Sequence, residues 1–146
     1  MFRRILAAVD GSTHAMVALE KAVEFQRLTG AELYLLCVYK HHSLFEASLS
    51  MVRSKEPPIP DQALSEHARD VVEYAKEHAT QLGASGVRGF VKGGKPSRTI
   101  VNFAKEHNVD LIVVGSRGSD SDKDGMILGS VSQRVASLAK CPTLVV

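Results

Sequence analysis

A chain of 146 residues, 45% hydrophobic and 23% charged, is long enough to form one domain over residues 1–146; a domain of that size buries roughly 68–70% of the surface its unfolded chain exposes. Its 18 Lys+Arg against 16 Asp+Glu leave a net charge of +2, and only 5% of its residues are aromatic, which argues against nucleic acid as a partner. Too few apolar residues precede Asp10 for a signal peptide, no run approaches the roughly 20 apolar residues of a membrane span, and Cys37 and Cys141 sit inside apolar runs as small buried hydrophobes, so a cytoplasmic protein with no membrane partner is expected.

The first apolar run, Ile5–Val9, reads as a strand. It ends in Asp10-Gly11-Ser12, a carboxylate at a strand tip followed by a tight turn, where Asp10 serves either as a turn and capping residue or as a ligand contact. Ser12 suits the N-cap of a helix that carries Leu19, Ala22 and Val23 on one face and ends before Gly30. Leu33–Tyr39 is the second strand. His41 to Pro60, with Pro57, Pro58 and Pro60, is longer than an ordinary crossover loop and holds either a short helix at Leu44–Val52 or a mobile flap. A long helix follows with Leu64, Ala68, Val71, Val72, Ala75, Ala79 and Leu82 on one face, stopping at Gly83, where a left-handed cap is expected.

Val87–Val91 is the third strand, and Pro96 opens the third helix, where a missing N–H is harmless. Leu111–Val114 is the fourth strand; the last helix places Leu128, Val131, Val135 and Leu138 on a face and ends before Pro142; Thr143–Val146 is the fifth strand. Strand and helix in strict alternation predict an α/β fold, an open five-stranded parallel sheet with helices on both faces, because each crossover is right-handed and packs its helix back on the sheet.

In such a sheet ligands bind beyond the carboxyl ends of the strands. The fourth strand ends in Gly115-Ser116-Arg117-Gly118, and Gly129-Ser130 opens the last helix. Glycines let backbone N–H groups approach an anion, and a helix N-terminus adds unpaired donors and partial positive charge. That pairing suits phosphate, with Arg117 either touching it or lying solvated beside the turn. Gly89-x4-Gly94-Lys95 approaches a phosphate-loop pattern, but Pro96 replaces the hydroxyl residue and Gly89 falls inside a strand. Asp120, Asp122 and Asp124 open like a calcium loop, but Val131 stands where the chelating Glu is required. Six histidines show no metal spacing, and no general base is placed for attack on a phosphate. No metal site and no catalytic residue are assigned.

Gly115-x2-Gly118 followed by Gly129-Ser130-Val131-Ser132, together with Ile5-Leu6-Ala7-Ala8-Val9-Asp10-Gly11-Ser12, Gly94-Lys95-Pro96 and the closing Cys141-Pro142-Thr143-Leu144-Val145-Val146, resembles the universal stress proteins. The nucleotide-binding members carry Gly-x2-Gly-x9-Gly-Ser/Thr after the fourth strand; here ten residues, Ser119 to Leu128, stand between Gly118 and Gly129. The resemblance implies a Rossmann-like sheet of the adenine nucleotide alpha hydrolase type and a stress-response module binding ATP, or AMP or ADP, with Mg²⁺ where phosphates carry it. By that resemblance Asp10 and Val38 lie against the adenine, Gly115 near the ribose, and Gly118, Gly129, Ser130 and Ser132 at the phosphates, with Ala8, Arg117 and Val131 completing the set. A stress protein of the same fold that works through protein contacts alone, and a slow ATP-hydrolysing enzyme, are the alternatives. The family's strand order places the last strand at a sheet edge, which implies a homodimer paired through it.

Overall fold

The computed structural model describes residues 1–40, 60–117 and 128–146. The segment read as a short helix or flap, and the loop carrying Gly118 and the three aspartates, lie outside them. The elements in order are β1 (Arg4–Ala8), α1 (Thr13–Thr29), β2 (Glu32–Tyr39), α2 (Asp61–Gln81), β3 (Val87–Gly93), α3 (Pro96–Glu106), β4 (Leu111–Val114), α4 (Ser130–Leu138) and β5 (Thr143–Val145). All strand pairs are parallel, in the order β3-β2-β1-β4-β5. The chain thus winds outward from β1 through β2 and β3, then returns to build β4 and β5 on the other side.

Local chemistry sets the helix ends where the sequence places them. The Ser12 side chain accepts the Ala15 N–H at 3.2 Å to start α1, and Gly30, at φ 72°, ends it by donating to the Gln26 carbonyl. Behind α2, Gly83 at φ 98° lets its own N–H reach the Thr80 carbonyl and the Ala84 N–H reach that of Ala79, both at 3.0 Å. That is the double bond of a Schellman cap, and buried Ala79 and Ala84 supply its apolar contact. The start of the sheet is fastened by Asp110, whose carboxylate accepts the Arg3 and Arg4 N–H groups at 2.8 and 2.9 Å.

Alternation along the strands divides the core in two. Ile5, Ala7, Leu33, Leu35, Leu111 and Val113 face α1 and α2, while Leu6, Tyr34, Leu36, Ile112 and Val114 face Ile100, Phe103 and Ala104 of α3 and Val135 of α4. Gly89 in β3 is where α2 comes closest: a Cβ there would stand 2.3 Å from a methyl of Val72. Two residues of the expected helix faces stay outside, Leu82 at 36% exposure and Leu138 at 53%. Both sit at the last turn of their helices, where the stripe has run past its partners.

Candidate functional site

β1 is the point at which the strand order reverses, and the crevice opens beyond its carboxyl end, between β1 and β4. A cleft of ≈ 710 Å³ lies there. Ala8, Asp10, Val38, Gly115, Arg117, Gly129, Ser130, Val131 and Ser132, the candidate residues among those described, all line it. Gly118 lies outside the described residues.

The turn after β1 is held by Asp10 itself, whose Oδ1 accepts the Ser12 N–H at 2.9 Å. An aspartate side chain closing its own turn in this way is a common device, so the structural role of Asp10 is real whatever else it does. The carboxylate remains exposed at the mouth of the cleft. Its charge also reaches Cys37 on the neighbouring strand: burial first, and Asp10 second, push that thiol up to about 11. Cys37 and Cys141 are both free, the first buried and the second half-buried.

Gly115 is glycine because of a close approach. A Cβ on it would lie 2.9 Å from the backbone C and O of His14 and 3.2 Å from the Ala15 N. The end of β4 therefore rests directly on the first turn of α1, and one wall of the cleft runs from one to the other.

The opposite wall is the start of α4. Gly129, buried and extended (φ −70°, ψ 163°), is its N-cap, and no side chain caps the terminus. The N–H groups of Ser130, Val131 and Ser132 have no intrahelical acceptor, and the helix dipole adds about half a positive charge there. Ser116 ties this terminus to β4. Its carbonyl accepts the Gly129 N–H, its N–H donates to the Val146 carbonyl at 2.7 Å, and the Val146 N–H donates to the Val114 carbonyl at 2.9 Å. Ser132 does not offer its hydroxyl to the cleft: buried at 2% exposure, it donates instead toward the Ser116 and Gly129 carbonyls, 3.0 Å from each.

Sequence reasoning missed a third wall. Leu64, His67, Ala68 and Val71 of α2, Lys40 after β2, and Pro96 and Ile100 of α3 also line the cleft. The signal for α2 was its stripe length, since apolar positions running N-terminal of the part that covers the strands must face something else. A more open hollow of ≈ 730 Å³ adjoins on the α1–α2 side and shares Asp10, His67 and Val71 with the cleft. Among the described residues no group of His, Cys, Asp and Glu is placed to hold a metal ion, and no helix is long and apolar enough to cross a membrane. Chemically the site pairs an apolar slot between β1, β2, α2 and α3 with a donor-rich helix start and two cations, Lys40 and Arg117.

The chain matches the model of the universal stress protein family over residues 1–146. It is 37% identical over 149 residues to universal stress protein YxiE of Bacillus subtilis (strain 168), covering 100% of this chain and 99% of the relative. Among solved structures it resembles universal stress protein UspA from Lactobacillus plantarum, with 28% identity, a TM-score of 0.80, and 99% and 97% of the two chains covered. The universal stress protein from Archaeoglobus fulgidus solved in complex with dAMP shares the fold at 22% identity, with a TM-score of 0.70 over 99% of this chain and 97% of that one.

Proposed function

Because the chain belongs to the universal stress protein family, we propose that its cleft holds an adenine nucleotide, ATP or its di- and monophosphate relatives, and that residues 1–146 act as one regulatory unit in stress response. The observation that carries this reading is the meeting of two unlike surfaces in one cleft. The apolar slot formed by Ala8, Leu36, Val38 and Ile100 suits a planar base, and the uncapped start of α4 at Gly129-Ser130 suits phosphate. That a protein of the same fold is solved with dAMP is compatible with it. Asp10 would read the base edge from the β1 turn, and Arg117 and Lys40 would balance phosphate charge. Mg²⁺ would arrive with the phosphates, since Asp10 is the one carboxylate among the described lining residues.

Calorimetry with ATP, AMP, adenosine and GTP tests the proposal. Micromolar affinity for ATP, about −8 kcal/mol, is expected, and neither heat nor a thermal shift at millimolar nucleotide would leave the protein-contact alternative. Asp10→Ala should narrow the preference for ATP over GTP; an unchanged ratio would confine Asp10 to its turn. Turnover of ATP well above background would instead favour the hydrolytic reading.

We also propose a homodimer through β5. This strand is an edge of the sheet, its residues Thr143 to Val145 are only half-buried, and Leu138 stands exposed on the preceding helix. Light scattering at micromolar concentration should report twice the chain mass, and a variant lacking Leu144–Val146 that stayed a folded dimer would place the interface elsewhere. Val146 bonds to Ser116, which in turn bonds to Gly129, so Ser116 links the end of the chain to the start of α4.

A further inference from the structure

From the hydrogen bonds around Ser116 we infer that the Ser132 side chain positions the site rather than binding phosphate, its hydroxyl locking the start of α4 to the end of β4 so that the first-turn N–H groups, its own included, face the cleft. The inference rests on the nucleotide reading above and departs from the phosphate contact that the family resemblance implies for Ser132.

A serine hydroxyl has one proton to give. The ionised oxygens of a nucleotide's phosphates accept hydrogen bonds, so a serine hydroxyl that binds them must spend that proton on them. Here the proton is already directed at protein: the Ser132 Oγ lies 3.0 Å from the Ser116 carbonyl and 3.0 Å from the Gly129 carbonyl. The one proton is shared between these two acceptors: the contact with Gly129 is the local back-bond that a serine in a helix often makes, whereas the contact with Ser116 joins residues sixteen apart and ties two elements together. Ser132 is also 2% exposed, so turning toward a ligand would mean breaking both contacts from within the packed interior.

The Ser116 peptide is the junction. Its carbonyl receives both the Gly129 N–H and the Ser132 hydroxyl, and its N–H is held by the Val146 carbonyl. With the peptide clamped on both sides, α4 cannot rotate about its first turn without giving up the Ser132 bond. Donors preorganised in this way bind an anion without first having to be ordered, whereas a loose terminus must surrender that freedom on binding.

The test compares wild type with Ser132→Ala and Ser132→Thr in the full chain. Hydrogen exchange of the Gly129 amide is read in the nucleotide-free protein, and the affinity ratio of ATP to adenosine is read by calorimetry. If Ser132 positions the terminus, Ser132→Ala lowers Gly129 protection without any ligand present, by about fivefold for the loss of one hydrogen bond. It also reduces the ATP-to-adenosine ratio by at least a comparable factor, and Ser132→Thr, which keeps the hydroxyl, restores both. Unchanged Gly129 protection in the free protein overturns the inference, and a lowered ratio in that case returns Ser132 to direct phosphate contact. Lowered protection with an unchanged ratio also overturns it, leaving the hydroxyl a purely structural bond. Should wild type bind no nucleotide, the proposed function falls, while the exchange measurement still decides whether Ser132 holds this terminus.

Discussion

Gly115→Ala tests the claim that the cleft is shaped by direct contact between β4 and α1. The added Cβ would begin 2.9 Å from the His14 backbone C and O, whereas ordinary contact starts at 3.4 Å, so one side must retreat by about 0.5 Å. The obstacle is backbone, and no side-chain rotation relieves it. The first turn of α1 is held by the Ser12 cap and by buried Ala15, Ala18 and Leu19, while β4 is buried along its whole length. Overpacking of this kind costs about 1–3 kcal/mol, against a total stability of about 5–15 kcal/mol. With a urea slope of about 2 kcal/mol per molar, the midpoint should fall by about 1 M. Both retreating segments line the cleft, so affinity for ATP and for adenosine should fall together, unlike the phosphate-selective loss expected of Ser132→Ala. Urea denaturation followed by circular dichroism and calorimetry at a temperature where the variant is fully folded would measure the two effects. A midpoint within about 0.2 M of wild type, with unchanged affinity, would refute the reasoning, because the position would then tolerate a side chain.

Other consequences can be checked separately. Gly89→Ala places a Cβ 2.3 Å from the Val72 methyl and should destabilise by about 1–3 kcal/mol; adding Val72→Ala should recover most of that loss, and strictly additive losses in a double-mutant cycle would show that the two do not meet. The hydrogen bond from Arg4, at 2.8 Å, holds the Glu32 carboxyl below its ordinary value of 4.5. A lowered folded-state pKa stabilises above the unfolded value and loses that stabilisation as pH falls through the folded one, so the stability gap between wild type and Glu32→Gln should be present at neutral pH and close below about pH 4.5; a gap constant with pH would contradict this. Cys37, 5% exposed and with its thiol pushed up to about 11, should resist a thiol reagent at pH 8 until urea unfolds the chain, with half-buried Cys141 reacting first; faster labelling of Cys37 would mean that this end of β2 opens readily.

Local rules determined a good deal of this protein. Ser12, Gly30, Gly83 and Pro96 mark helix ends because caps and fixed φ angles act within a few residues, and the β-branched runs mark strands because burial on both faces of a parallel sheet demands them. The alternation of the two was enough for the sheet and its layers, and the glycines after β4 with Gly129-Ser130 pointed to the carboxyl ends of its strands, where the cleft lies. What a residue does at the site was less legible. Asp10 announces a carboxylate at a strand tip, but that its Oδ1 closes the turn onto Ser12 depends on backbone geometry. Gly115 looks like turn punctuation, yet its reason is the His14 backbone, a hundred residues earlier in the chain. The α2 wall of the cleft, with His67, was hidden inside a stripe that reads as core throughout. Ser132 is the sharpest case: resemblance to the family implies a place at the phosphates, whereas the packing of α4 against β4 sets its hydroxyl 3.0 Å from the Ser116 and Gly129 carbonyls. Composition and periodicity act locally and survive in one dimension, whereas the partner of a hydroxyl, or the space left for a Cβ, depends on which distant elements the sheet order brings together, and that is settled only when the chain folds.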